Sequence, residues 1–171
     1  MMPSILHGEI EFDTSVTLFG QTHPLPFGVA PVGMSGLIWP DAERQLARVA
    51  TATGIPYTLS TVASADPETV GPCVDGKGWF QLYPPKKPEI RRDLLDRARA
   101  AGFRTLVMTV DVPVASRRER QTRSGLTQPP RMTPRLLAQI AMRPAWAMAT
   151  LAHGRPRMPT IARYAQDKPG L

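Results

Sequence analysis

The sequence of 171 residues contains one cysteine, Cys73, so a framework of internal disulfide bonds is excluded. It has no apolar run of the roughly 18 to 20 residues that a membrane-spanning helix requires. The first residues, "MMPSILHGEIEF", lack the charged and long apolar regions of a secretory signal, so we expect none. These absences argue against a disulfide-stabilised secreted domain and a membrane-spanning protein.

Acidic residues are scarce in the second half of the chain. Residues 1–80 hold eight acids and three bases (net −5), whereas residues 81–171 hold six acids and 18 bases (net +12). Such a basic half suits nucleic acid, an anionic membrane surface, an anionic ligand or an acidic partner chain. Zinc-ligand spacing, a ribonucleoprotein motif and lysine-rich runs are all missing, so we expect no nucleic-acid partner and no metal.

Short apolar runs alternate with helical patterns over residues 26–111. Pro40 and Asp41 suit a helix start, and Gly54 suits its end. Strands that begin roughly 25 to 30 residues apart, with helices between them, predict a parallel α/β sheet covered on its faces. The expected strands are 26–32, 55–60, 78–83 and 103–111, and the expected helices are 40–54, 66–71 and 87–102.

Two architectures fit this alternation: a doubly wound sheet and a (β/α)8 barrel of the TIM type. A doubly wound sheet that binds nucleotides usually carries G-x-G-x-x-G after its first strand. Here that turn is "APVGMSG", which does not match.

The pattern divides the chain into three parts. Residues 1–25 form a lead-in, expected to contain a β-hairpin, and residues 26–111 carry the four strands. Residues 112–171 are expected to form a basic loop, one or two helices and an irregular tail; Thr133 suits the N-cap of a helix over 133–144.

The four expected strands end in small, hydroxyl or amide residues. In barrels and open α/β sheets, ligands bind beyond the carboxyl ends of the parallel strands. Four such endings together indicate a floor of hydrogen-bonding groups for a flat polar ligand. The endings are Ala30-Pro31-Val32-Gly33, Leu59-Ser60-Thr61, Gln81-Leu82-Tyr83 and Thr109-Val110-Asp111.

At these residues the sequence resembles the FMN-dependent α-hydroxy-acid oxidases and dehydrogenases. The similar blocks, which occur in order over about residues 13–150, are "PFGVAPVGMSGLIWPDAE", "GIPYTLSTVAS", "WFQLY" and "LVMTVDVPVASRRER". The resemblance implies the first four strand-helix units of a (β/α)8 barrel. It also implies FMN as cofactor and oxidation of an L-2-hydroxy acid, lactate- or mandelate-like, to a 2-oxo acid.

The resemblance also implies residue roles. Tyr83 would donate a hydrogen bond to the substrate, and Arg118 would hold its carboxylate through the guanidinium fork. Asp111 would orient a catalytic histidine and favour its charged form. The flavin contacts would be Pro31, Val32, Gly33, Ser60, Gln81 and Thr109.

Each of these residues also has an ordinary structural interpretation. The hydroxyls of Ser60 and Thr109 could satisfy backbone groups where strands end. Tyr83 could pack on a loop at the rim, and Asp111 with Arg118 could form a surface ion pair of little energetic value.

The sequence departs from the family pattern in extent. Four of eight units are expected here, and the resemblance places the general-base histidine, a second arginine, a lysine and the phosphate site in the other half. "HGR" at 153–155 follows a helix rather than a strand, so we do not expect His153 to be that base. We also expect His7 and His23 to be surface residues.

Two function classes remain. The first is an FMN oxidoreductase, represented by a fragment that is inactive until a C-terminal half completes it. The second is a non-catalytic module whose basic segment contacts a membrane surface or a partner chain. The alternative to a fragment is a genuine half barrel that pairs with a second chain or with itself. Both function classes fit a cytoplasmic protein, or one bound peripherally to the inner face of the membrane.

Overall fold

The computed structural model describes residues 12–110 and 133–165. Its first element is an antiparallel hairpin of β1 (Val16–Leu18) and β2 (Gln21–His23). Phe19 and Gly20, between the strands, both have positive φ (50° and 77°), the combination that favours a tight hairpin turn. The hairpin lies within the segment for which a hairpin was expected.

The central element is a parallel sheet of three strands in the order β3, β4, β5. They span Thr58–Ser60, Gly78–Leu82 and Phe103–Met108. The register places Ser60 beside Gln81, and Gln81 beside Val107. The parallel α/β arrangement expected from the alternation is therefore confirmed.

The first expected strand, residues 26–32, is reduced to one parallel bridge between Val29 and Tyr57. The Val29 N–H donates to the carbonyl of Pro56 at 2.8 Å, and its carbonyl accepts from Thr58 N–H at 3.0 Å. Pro26 and Pro31 lack the N–H groups that would extend the ladder on either side. The four-stranded half barrel is thus observed as three strands and a bridge, and its count of units is not confirmed.

The four helices expected over 40–54, 66–71, 87–102 and 133–144 are observed, a fifth lies in the segment expected to hold one or two helices, and the sixth is an exception. Asp41 and Gly54 occupy the N-cap and C-cap positions of α1 (Ala42–Thr53) as expected, although the Asp41 side chain makes no capping hydrogen bond. Thr133 caps α4 (Pro134–Ala141) by accepting from Leu136 N–H at 3.2 Å. The helices are α1 (Ala42–Thr53), α2 (Pro67–Val70), α3 (Pro88–Ala100), α4 (Pro134–Ala141), α5 (Pro144–His153) and α6 (Pro159–Ala165), with 3-10 turns at Ser35–Leu37 and Gly71–Cys73.

The exception is α6, because the tail was expected to be irregular and that expectation is wrong over Pro159–Ala165. The helix is fixed by long-range contacts: Arg97 of α3 donates to the carbonyl of Thr160 at 3.3 Å and to the Tyr164 hydroxyl at 3.1 Å. A helix of seven residues is too short to form on its own propensity and depends on such tertiary contacts. Seven residues are also too few for an apolar periodicity to be recognised in the sequence. None of the helices in the two described ranges is long and apolar enough to cross a membrane.

The core lies on one face of the parallel sheet. Phe80 and Leu82 of β4 are each 1% exposed and belong to one buried cluster with Leu59 and, from α3, Leu94. Burial of each such side chain contributes about 1.5–3 kcal/mol. Because successive residues of a strand alternate between faces, Gln81 points to the opposite face, away from this apolar cluster.

Candidate functional site

Three side chains from the ends of neighbouring strands form one hydrogen-bonded row. The Ser60 hydroxyl donates to Gln81 Oε1 at 2.9 Å, and Gln81 Nε2 donates to Thr109 Oγ1 at 2.8 Å. Ser60 and Gln81 are each 3% exposed, whereas Thr109 is half-buried. The row therefore runs from the interior of the sheet towards an accessible edge, at the carboxyl ends of the strands.

Thr61 ties two of these strand ends together, and sequence reasoning gave it no role. Its N–H donates to the backbone carbonyl of Gln81 at 3.0 Å, and its hydroxyl donates to the same carbonyl. That hydroxyl also accepts from the N–H of Tyr83 at 3.2 Å. The signal available in the sequence was the pair of hydroxyl residues at the end of one apolar strand.

The row fixes which way the Gln81 amide points. Its oxygen accepts from Ser60, with Thr61 N–H at 3.4 Å, and its nitrogen faces Thr109. The amide nitrogen carries a second hydrogen, and Thr109 keeps its own O–H as a donor. The site thus offers donors at a fixed orientation to a flat group with acceptor atoms on its edge.

The loop of Pro31, Val32 and Gly33 is exposed and lies beside the turn that follows β3. Met34 N–H donates to the carbonyl of Val62 at 2.9 Å, which joins this loop to that turn. A Cβ added to Gly33 would approach Val62 Cγ2 to 2.8 Å. Close packing against Val62 therefore accounts for a glycine at position 33. This reason differs from the expectation that the loop needs small residues to approach the flavin edge.

The remaining predicted site residues are only partly described. Tyr83 directly follows β4, its side chain is 41% exposed, and its backbone is held by Thr61. Asp111 and Arg118 lie outside the described residues, so their roles as histidine partner and carboxylate ligand stay predictions.

A buried carboxylate near the site was also missed by sequence reasoning. Glu43 of α1 is 2% exposed, and its Oε1 accepts from Ser64 N–H at 2.6 Å. The pKa of Tyr57 is raised by burial and further by the charge of Glu43. Glu43 shares the buried face of α1 with Ala47 and Ala50, and an acid on such an apolar stripe was the available signal.

The histidines within the described residues do not join the row. His153 ends α5, is exposed, and has its Nδ1 3.0 Å from the carbonyl of Ala149 on the same helix. His23 was expected on the surface, but it is 4% exposed and its Nδ1 lies 3.1 Å from the Gly54 carbonyl. That expectation was wrong, because the hairpin packs His23 against the loop after α1.

Comparisons with known proteins agree over almost the whole chain. The family described as FMN-dependent dehydrogenase matches residues 1–169. This chain belongs to that family. The L-lactate dehydrogenase of Ectopseudomonas mendocina (strain ymp) is 41% identical over 168 residues, covering 98% of this chain and 44% of the relative. The corresponding enzyme of Pseudomonas paraeruginosa (strain DSM 24068 / PA7) is 40% identical with the same coverage.

Solved structures of FMN-dependent dehydrogenase relatives share the fold. The monotopic membrane protein (S)-mandelate dehydrogenase superposes with a TM-score of 0.79 at 28% identity, covering 91% of this chain and 44% of that one. A mandelate oxidase with benzoyl-formic acid gives a TM-score of 0.67 at 38% identity, covering 74% and 37%. The family resemblance and the FMN cofactor of the family are thereby confirmed. The chain spans less than half the length of the curated relatives it matches.

The residues present fit the flavin of this family. An isoalloxazine ring is flat and presents acceptor nitrogens and oxygens along its polar edge, and the Gln81–Thr109 end of the row supplies matching donors. Hydrogen bonds to Ser60 and Thr109 hold the Gln81 amide on both sides, so its orientation is fixed before a ring binds. Residues 31–33 are exposed, which fits a loop that a ring could approach.

Proposed function

We propose that this chain supplies part of the flavin site of an FMN-dependent enzyme that oxidises an L-2-hydroxy acid of the lactate or mandelate type to a 2-oxo acid. The supporting observation is the buried row of Ser60, Gln81 and Thr109 at the carboxyl edge of the sheet. The L-lactate dehydrogenase relatives, about 40% identical to this chain, support the substrate class.

In this proposal the row hydrogen-bonds the flavin ring and the ribityl region. When bound, FMN would supply the acceptor for the hydride equivalent that leaves the α-carbon of the acid. Tyr83 donates a hydrogen bond to the substrate, Arg118 binds the carboxylate, and Asp111 orients the histidine base. The backbone of residues 31–33 lies along the flavin edge.

We further propose that turnover requires the portion of the relatives that this chain does not cover, supplied by continuation of the chain or by a second chain. Among the described residues, β5 pairs with β4 alone, and its Leu106 and Met108 are 44% and 54% exposed. Apolar side chains at a strand edge are suited to being covered by further structure.

A chimera tests the proposed function. Residues 1–171 are joined to the part of the Ectopseudomonas mendocina L-lactate dehydrogenase that lies beyond the match. We expect it to purify with bound flavin, whose visible absorbance bleaches under anaerobic L-lactate or L-mandelate but not under D-lactate. Bound flavin that neither L-acid reduces would contradict the substrate class, and a folded chimera without affinity for FMN would contradict the proposal itself.

A second candidate function, contact with a membrane surface, is favoured by helices α4 and α5. Residues 120–166 contain no Asp or Glu, and Arg143 lies between the two helices. Four large apolar side chains are more than half exposed here: Leu137 (51%), Met142 (71%), Met148 (66%) and Leu151 (85%). We propose that these residues touch the anionic inner face of the membrane, as an alternative that needs no catalysis.

Sedimentation with vesicles tests this second function. We expect binding to vesicles containing phosphatidylserine, weakened by salt and by the double variant Met148→Ser with Leu151→Ser. Val49→Ser, at an apolar residue of α1 that is 61% exposed, is the matched control and should leave binding unchanged. Binding that ignores anionic lipid would contradict this function.

A further inference from the structure

We infer that Glu43 is a positioning residue. Its buried carboxylate holds the turn after β3 and, through Ser64, the loop at residues 31–36. These two loops lie beside the row of Ser60, Gln81 and Thr109, and Glu43 fixes their position relative to each other. This inference rests on the proposed function, because only that proposal assigns flavin contacts to the loops. It concerns a residue that the row itself does not contain.

The first contact joins the helix layer to the turn after β3. Glu43 lies in the first turn of α1, and its Oε1 accepts from Ser64 N–H at 2.6 Å. A hydrogen bond from a peptide N–H to a carboxylate is charge-assisted and stronger than one between neutral groups. Glu43 stands in the N-terminal turn of α1, the end of a helix at which acidic side chains are favoured.

The second contact passes the restraint to the next loop. The Ser64 hydroxyl accepts from Gly36 N–H at 3.1 Å, and a Cβ added to Gly36 would lie 2.7 Å from Ser64 Cβ. Gly36 and Ser35 are buried, so this end of the 31–36 loop is packed directly against Ser64. Glu43, Ser64 and Gly36 therefore form a chain from α1 through one loop into the other.

The same turn carries the start of the row at its opposite end. Ser60 donates its hydroxyl to Gln81, and Ala63 N–H donates to the Ser60 carbonyl at 3.1 Å. Met34 N–H bonds the Val62 carbonyl at 2.9 Å in the middle of the turn. Holding Ser64 thus limits movement of a five-residue turn that has Ser60 at one end and the 31–36 loop against its side.

Site-resolved amide hydrogen exchange on the 171-residue chain tests the inference without FMN. We expect Glu43→Ala to speed exchange at both Ser64 and Gly36 by about tenfold or more, since loss of a charge-assisted bond exceeds the free energy of one decade. Ser64→Ala should speed exchange at Gly36 while leaving residue 64 protected by Glu43. Glu43→Gln keeps an acceptor oxygen without the charge and should give a smaller effect at Ser64.

Exchange at Phe80 serves as the internal reference, because this residue lies in the core on β4 and takes no part in the hydrogen bonds that join Glu43, Ser64 and Gly36. If Glu43→Ala unfolds the chain, the Phe80 amide also exchanges fast. The exchange rates of Ser64 and Gly36 in Glu43→Gln then test the inference. Unchanged exchange at Ser64 and Gly36 in a folded Glu43 variant would overturn the inference.

Affinity for FMN separates this inference from the proposed function. In the chimera, we expect Glu43→Gln to raise the Kd for FMN several-fold, with Phe80 protection unchanged. Selective loosening of the loops with an unaltered Kd would overturn the positioning role. Failure of the unmodified chimera to bind FMN would instead refute the proposed function, while the exchange data would still decide whether Glu43 holds the loops.

Discussion

Replacing Gln81 by Leu removes the centre of the buried row at nearly constant volume. The substitution deletes the acceptor of the Ser60 hydroxyl and the donor to Thr109. Thr61 N–H keeps its bond to the backbone carbonyl of residue 81, and half-buried Thr109 can turn to water. One group is therefore left without an acceptor: the hydroxyl of Ser60, at a residue that is 3% exposed.

The expected cost follows from that single group. A buried hydroxyl left without its partner costs about 1–3 kcal/mol, so we expect Gln81→Leu to destabilise the chain by about 2 kcal/mol. For a chain of this size that corresponds to a fall in Tm of about 4–8 °C. In a Ser60→Ala background the orphaned hydroxyl no longer exists, and the cost of Gln81→Leu should drop by about 1 kcal/mol or more.

Urea unfolding of the four chains of this cycle, followed by circular dichroism, measures the coupling. Gln45→Leu is the matched control, because Gln45 is exposed on α1 and its amide donates to the Pro40 carbonyl at 3.3 Å, far from Ser60 in the hydrogen-bonding pattern, so its cost should be the same with and without the Ser60 hydroxyl. Additive effects of Ser60→Ala and Gln81→Leu would refute the reasoning, since they would mean that the two side chains do not share a bond.

Three further predictions concern the scaffold. Gly71→Ala should destabilise by about 3 kcal/mol, because its Cβ would overlap the carbonyl oxygen of Ala101. Gly76→Ala meets no atom within 4 Å and should cost only its backbone strain at φ +68°, and thermal melts compare the two variants; equal melting temperatures would contradict this. Leu94→Ala should cost about 2–5 kcal/mol in urea unfolding, and equal stability to wild type would show that α3 does not pack on the sheet. The hydrogen bond from Arg97 lowers the pKa of Glu68 below its value in the unfolded chain. The stabilisation from this ion pair is therefore present above about pH 4 and is lost as the pH falls through the lower folded pKa. Between pH 6 and pH 3 the Tm should fall less steeply for Glu68→Gln than for the unmodified chain, and parallel curves would contradict this.

The parallel sheet and most helices could be predicted because local signals agreed with the tertiary arrangement. Asp41 and Gly54 mark the ends of α1 whatever packs around it. The first strand was overestimated, because the apolar pattern of 26–32 outweighed the missing N–H groups of its prolines. Helix α6 was missed because Arg97, more than 60 residues earlier in the sequence, supplies the contacts that hold it.

The site was predictable to the extent that it follows the ends of strands. Ser60, Gln81 and Thr109 each end an apolar run, and the parallel register brings them together. The place of Glu43 on the apolar face of α1 could have indicated its burial, but its partner Ser64 could not be predicted from the sequence. Its contact with Ser64 depends on how α1 lies against the turn after β3.

The most direct test of the flavin-binding role of the row is the dissociation constant of FMN from the chimera, measured by flavin fluorescence for the unmodified protein, Gln81→Leu and Gln45→Leu. We predict that Gln81→Leu weakens FMN binding at least about tenfold, as loss of a buried hydrogen-bonding group should. Gln45→Leu should bind like the unmodified protein. Equal affinity in all three proteins would show that the row of Ser60, Gln81 and Thr109 does not bind the flavin.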